Sequence, residues 1–180
     1  MSVFRNQSFT LAVAFGSLLL AACDVGVHGQ GKDKNLDVRT AFGDVSVHTG
    51  ESGPDTGLPV YPGAKHVRDK DEDPENVDIK LGTSFLDLQL ATAKFESDDA
   101  PQAILDFYRG KMSAYGAVVE CKGNIDFVDE SKQPVCKEKP ASSEIQLVTG
   151  SEDSHRLVSV KPRGAGSEFV VVSINVGGRS

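Results

Sequence analysis

The 180-residue chain has no tryptophan, two methionines, three cysteines and four histidines, and its one long apolar run is over by residue 22. Each scarcity excludes something. The absence of Trp weakens any case for stacking a sugar ring. The histidines, at 28, 48, 66 and 155, lie in separate segments. There is no H-E-x-x-H motif and no His pair at helical spacing, so the common zinc arrangements are missing. A serine nucleophile on a sharp elbow needs G-x-S-x-G; Gly82-Thr83-Ser84-Phe85 lacks the closing glycine and precedes a strand pattern. Gly29-x-Gly31 and Gly164-x-Gly166 do not lie between a strand and a helix with a third glycine in place, so neither is a dinucleotide fingerprint, and no phosphate-binding loop occurs. Positive charge is also scarce, with 19 Lys plus Arg against 26 Asp plus Glu and a net charge of −7. Such a chain repels phosphate backbones, which argues against nucleic acid as a partner. No cofactor is expected.

Against these absences stands a definite N-terminus. Arg5 precedes residues 9–22, which are apolar apart from Thr10, Gly16 and Ser17, and the run exits through Leu20-Ala21-Ala22-Cys23. A positive start, a short apolar stretch and small residues describe a secretory signal peptide, too short to be a membrane-spanning helix. The final four residues resemble the lipobox of bacterial lipoproteins. That resemblance implies cleavage between Ala22 and Cys23, a diacylglycerol thioether on the Cys23 sulfur, and residence in the cell envelope with the membrane as partner through lipid. In enteric lipoproteins an Asp after the lipidated Cys retains the protein in the inner membrane. Asp24 therefore favours the periplasmic face of the inner membrane, with the outer membrane as the alternative. Two or three acyl chains anchor almost permanently, since each buried methylene contributes about 0.8 kcal/mol.

Removing residues 1–22 takes away one charged residue, Arg5, so the net charge moves from −7 to −8. What remains is long enough for one domain with a real core. With Cys23 committed to lipid, Cys121 and Cys136 are left. A zinc site would want four ligands at short spacing and a redox pair usually reads C-x-x-C, so a structural disulfide is the expectation in an oxidising compartment.

Residues 23–35 are small and polar with three glycines and read as a lipidated flexible tether. Residues 36–57 read as a β-hairpin and loop, with Leu36 and Val38 paired to Val45 and Val47 around Gly43-Asp44. Residues 58–180 read as the main domain. Its opening segment, Leu58 to Ala64, carries Pro59 and Pro62 and is expected to lie extended, with Val60 and Tyr61 packed inward. Alternation predicts strands over 77–81 and 86–95, on either side of a Gly82-Thr83-Ser84 turn. The spacing predicts one strong helix over 100–115, capped by Asp99 with Gln102 completing a capping box. Ile104, Phe107, Tyr108, Met112 and Tyr115 form its apolar face, and Gly116 ends it. Further strands are expected over 117–121, around 135–136, and over 144–149, 156–161 and 168–176. Phe169 to Val172 is apolar on both faces and should be central. The expected fold class is α+β, one main helix packed on an antiparallel sheet, preceded by the hairpin and tether.

Tyr61-Pro-Gly-Ala64, with Phe95-x-Ser97-Asp98-Asp99-x-Pro101-x-x-Ile104-x-x-Phe107-Tyr108-Arg109, resembles a pattern in uncharacterised bacterial envelope proteins. It implies a small α+β module and no catalytic role. Asp69-x-Asp71-x-Asp73 opens like a calcium-binding EF-hand loop, but Pro74 stands at the obligatory glycine and Lys80 at the bidentate glutamate. Clustered carboxylates of this kind leave weak calcium binding or, more simply, a solvated loop. The functional expectation is a non-catalytic binding or scaffolding domain in the periplasm, with other envelope proteins as candidate partners. The alternative is a carrier or binder of a small hydrophobic or lipidic ligand, held between helix and sheet near Phe107, Tyr108 and Tyr115. A hydrolase with an unrecognised site ranks below both. Cys23→Ser should leave the precursor uncut and unlabelled by radioactive palmitate; continued labelling would refute lipidation.

Overall fold

Period-2 alternation dominates the chain, and so do strands. The computed structural model describes residues 24–28, 34–49, 54–67, 76–128, 132–139 and 142–178. Strands β1 (Asp24–His28), β2 (Lys34–Thr40), β3 (Gly43–Thr49), β4 (Lys65–His66), β5 (Val77–Thr83) and β6 (Leu86–Ser97) precede helix α1 (Pro101–Met112) and a 3-10 turn at Ser113–Tyr115. After the helix come β7 (Val118–Cys121), β8 (Gly123–Phe127), β9 (Pro134–Glu138), β10 (Ile145–Gly150), β11 (Ser154–Arg163) and β12 (Gly166–Gly178). Ten strands share one sheet in the order β1-β2-β3-β5-β6-β12-β11-β10-β7, with β4 pairing β6, and β8 and β9 make a separate ribbon. Every pairing is antiparallel.

This corrects the expected α+β class. Strand accounts for 62% and helix for 11% of the described residues, so the fold is sheet-dominated with one short helix. Two segments account for much of the difference. Asp24–His28 is not tether: Val25 and Val27 alternate with small or polar residues, and the strand pairs with β2 from Asp24↔Arg39 to His28↔Asn35. The 36–49 hairpin does not stand apart either, because β3 pairs with β5 along its whole length. Its turn falls at Ala41-Phe42 rather than Gly43-Asp44.

The core lies where the helix meets the sheet. Directly paired residues in an antiparallel ladder share a face. Leu147, Val158, Val171 and Ala93 therefore form one row, and Val160, Phe169 and Phe95 the next. Ile104, Leu105, Tyr108 and Met112 of α1 cover these rows, all at most 1% exposed. Residues 54–67 cross the same side beyond the helix. Leu58 joins the core, and Tyr61 meets Phe107 edge-on at 5.2 Å and Phe169 at 6.4 Å. β4 then takes the place along β6 that β5 leaves, pairing Lys65↔Glu96 and His66↔Phe95.

The helix start differs from the expected capping box. Ala100 is the cap and makes no side-chain hydrogen bond. Gln102 turns to Asp106, while the Asp99 carboxylate accepts the Tyr61 hydroxyl at 2.9 Å. That bond, with some burial and the nearby negative charge, holds the Tyr61 phenol above its usual pKa. A partner from the crossing segment has thus claimed the residue that local sequence assigned to capping. Tyr115 is likewise not in the core but 42% exposed; its ring lies 3.6 Å from the Arg156 guanidinium and its hydroxyl donates to the Gly57 carbonyl at 2.7 Å.

On the other side of the sheet, Cys121 bonds Cys136 as expected, with Cα atoms 5.2 Å apart. Cys121 pairs Gln146, two residues from Val148, so the bridge draws the β8–β9 ribbon onto the side away from α1. Val148, on that same side, is fully buried. Replacing Cys121 and Cys136 together by Ser should lower unfolding stability by about 3 kcal/mol, the chain-entropy value for a loop of this size. An unchanged urea midpoint would show that the ribbon holds its place without the bridge.

Candidate functional site: an uncovered apolar sheet face

The sheet is wider than what covers it. α1 packs on β10 and β11, and the β8–β9 ribbon contacts β7 and β10. Among the described residues, neither helix nor ribbon lies over the wing formed by β1, β2, β3 and β5. Its two sides differ sharply in chemistry. On the helix side the register lines up Asp37, Ser46, Lys80 and Gln89 in one row and Asn35, His48 and Asp78 in the next. His48 lies 3.7 Å from Asp37, and Lys80 lies 3.5 Å from Asp78. This side is polar, with Lys80 and His48 exposed and the Asp78 side chain only 16% exposed.

On the opposite side two rows are aliphatic from β1 to β12, and the row beyond them carries Thr49, Val77 and Thr92. One row runs Val25, Val38, Val45, Leu81, Leu88, Val176. The neighbouring row runs Val27, Leu36, Val47, Ile79, Leu90, Ile174. Neither contains a polar side chain. Val25 is 58%, Val27 72%, Leu36 37% and Val176 38% exposed, and the inner members are half-buried by one another. The second row ends at His155, opposite Ile174, whose ring meets Phe127 of the ribbon at 4.8 Å. Among the described residues the face is therefore a floor open at the β1 edge and walled at the ribbon. With strands about 4.8 Å apart and same-side residues about 7 Å apart along a strand, it measures roughly 24 by 14 Å, or about 300–400 Å². A patch of that size on one molecule commonly has a function.

The space between helix and sheet is by contrast nearly filled. Tyr108 is fully buried, Phe107 packs on Tyr61, and Tyr115 lies over Arg156. A cavity of about 50 Å³ remains, lined by Thr56, Leu58, His66, Phe95 and Tyr108 among others. Ligand sites for drug-sized molecules need several times that volume. His66 Nδ1 has no hydrogen-bond partner there, and burial pushes the Tyr108 phenol far above its usual pKa against a weaker opposing backbone contact with Tyr61. That cavity is too small for a lipidic ligand beside Phe107 and Tyr108.

Of the residues singled out by sequence, Ala22 and Cys23 lie outside those described, as do Asp69, Asp71 and Asp73. Asp24 is the first residue of β1, exposed, on the polar side opposite Arg39. Cys121 and Cys136 build the wall beside the face, a role the pair's spacing did not announce. Among the described residues no group of His, Cys, Asp and Glu is placed to hold a metal. The Ser159 hydroxyl donates to Glu144, but His155 turns Nδ1 to the carbonyls of Ser151 and Glu152 at 3.0 and 3.2 Å, so these three do not form a nucleophile–base relay. Among the described residues no helix is long and apolar enough to cross a membrane. Comparison with protein-family models, curated proteins and solved structures finds no match.

The sequence signal for the face was present in the alternation of 36–38, 45–47, 77–81 and 86–90; what it lacked was the register that merges them. A lysine distinguishes an open face from a core. Val47→Lys should lower the unfolding free energy from urea titration by less than about 1 kcal/mol, whereas Val158→Lys, in the fully buried row, should cost several and leave little folded protein. Equal costs at the two positions would mean that the face is covered.

Proposed function

We propose that this chain is a lipid-anchored protein of the bacterial envelope, held through Cys23 at the periplasmic face of the inner membrane, whose domain binds rather than catalyses. The uncovered face is its working surface, and the ligand it suits is an acyl chain. The observation that carries this reading is the pair of unbroken aliphatic rows from β1 to β12.

Three comparisons of chemistry favour an acyl chain. Protein interfaces concentrate their energy in Trp, Tyr and Arg, and none of these stands in either row. Pockets for polar small molecules carry a few fixed hydrogen-bonding groups, and the rows offer none. A stable protein interface buries about 800 Å² on each partner, about twice what these rows provide. A hydrocarbon chain needs only apolar area and contributes about 0.8 kcal/mol for each methylene removed from water.

Titration with a fluorescent long-chain fatty acid tests the assignment. The protein should bind it saturably, and Val47→Lys combined with Leu90→Lys should abolish binding while the circular dichroism spectrum is retained. Absence of saturable binding overturns the assignment. So does a concentration-dependent dimer dissociated by the same two lysines, which would give the face to a second copy packed sheet on sheet.

A further inference from the structure

Two hairpin turns end side by side in the same four-residue design. Thr40-Ala41-Phe42-Gly43 joins β2 to β3, and Thr83-Ser84-Phe85-Leu86 joins β5 to β6. In the first, the Phe42 amide donates to Thr40 Oγ1 at 3.1 Å and that hydroxyl donates to the Gly43 carbonyl at 2.9 Å. In the second, the Leu86 amide donates to Thr83 Oγ1 at 2.9 Å, the Phe85 amide does so at 3.4 Å, and the hydroxyl donates to the Leu86 carbonyl at 3.2 Å. The threonines satisfy backbone groups that would otherwise need water. The phenylalanines point away, Phe42 85% exposed and Phe85 71%. Gly43 pairs Thr83, and a Cβ on Gly43 would sit 2.4 Å from the Gly82 carbonyl oxygen, so the two turns touch.

Their position in the sheet matters as much as their composition. Asp24 pairs Arg39, the residue before Thr40, so β1 enters the sheet beside the first turn. Cys23 is one peptide bond away. Gly178 pairs Leu86 at the same end. No charged side chain occurs in either turn. Among the described residues the nearest, Asp24, Arg39, Asp44 and Asp87, lie one register position back on the polar side. The opposite end of the sheet, about 40 Å away along β12, is charged: Arg163 pairs with Glu96, and Lys161 reaches Glu168 at 2.6 Å.

We infer that the Phe42 and Phe85 turns dock into the lipid bilayer that carries the Cys23 anchor. Single exposed apolar residues need no explanation. Two phenylalanines on adjoining, internally hydrogen-bonded turns, beside the chain's point of attachment, make a small insertion surface of the interfacial kind. Backbone groups already satisfied by Thr40 and Thr83 lower the cost of leaving water. The aliphatic rows start directly behind these turns, at Val38, Val45, Leu81 and Leu88. Docking therefore sets the turn end of the acyl-binding face, along the row of Val38, Val45, Leu81 and Leu88, against the membrane. With three acidic residues and one arginine among the described residues just behind the turns, the contact rests on apolar burial and does not need anionic lipid. The inference rests on the proposed anchoring for the identity of the membrane, not for the insertion itself.

The natural absence of tryptophan allows a direct test. Phe42→Trp and Phe85→Trp each place a lone fluorophore at a turn, and Ala165→Trp places one in the exposed turn at the far end. The lipidated proteins are reconstituted into phosphatidylcholine vesicles with and without brominated chains. The turn tryptophans should shift to the blue and lose most of their emission to bromine, while Ala165→Trp keeps both unchanged. Replacing phosphatidylcholine by a phosphatidylethanolamine and phosphatidylglycerol mixture should not strengthen the effect. If the protein is membrane-bound but the turn tryptophans are quenched no more than Ala165→Trp, the docking inference fails and the anchor stands. If no lipid is attached, the same variants are titrated with the same vesicles. Selective quenching then supports insertion and removes the anchor, and its absence overturns the insertion too. A blue shift on adding membrane protein but not protein-free vesicles gives the turns to a protein partner and also overturns the inference.

Discussion

The pairing of β6 with β12, twelve residues in unbroken antiparallel register from Ser167↔Ser97 to Gly178↔Leu86, is the constraint on which the other features depend. Side chains alternate along a strand with a period of two, so a slip of one residue would turn every side chain to the other face. With the register as it stands, Phe95 and Phe169 stack at 5.2 Å under α1, while Leu88, Leu90, Ile174 and Val176 turn away from it. The core and the uncovered face are thus two consequences of one ladder.

The same ladder separates polarity in two directions. Across the sheet, the wing is charged on the helix side and aliphatic on the other. Along the strands, ion pairs gather near Arg163 and Glu168, while the opposite end carries two phenylalanines and no charge in its turns. An aliphatic surface left open in water forfeits the free energy that burial would supply, about 25 cal/mol for each square ångström. In the proposed reading, an acyl chain supplies the missing cover and the bilayer receives the turns. The disulfide-bound ribbon limits the face on one flank, and the free β1 edge leaves it open on the other.

Much of the secondary structure was legible because it is local. Strands over 77–81, 86–95, 144–149, 156–161 and 168–176 follow from alternation, and the helix follows from Ile104, Tyr108 and Met112 at helical spacing. The misreadings share a cause. Local sequence assigns Asp99 to the helix cap, but Tyr61, thirty-eight positions back, holds it. Helical spacing puts Tyr115 in the apolar stripe, but its ring lies over Arg156 from β11. Glycines and polarity make residues 24–28 read as tether, but β2 offers them a partner. In each case a long-range contact outweighed a local preference. The fold class was misjudged for the same reason: one amphipathic helix is conspicuous in a sequence, whereas a hairpin's membership in a larger sheet is not.

Which residues alternate, where the helix runs, and that Cys121 and Cys136 have each other as partners can be read along the chain. These are properties of near neighbours and of a simple count. That β3 pairs with β5, so that alternation in separate hairpins adds up to two continuous apolar rows, follows from the folded arrangement alone. That arrangement also decides that α1 and the ribbon stop short of those rows, and that Phe42, Phe85 and the start of β1 meet at one end. Strand order and cover depend on contacts between residues far apart in the chain, and a period of two is the same whatever lies across the sheet.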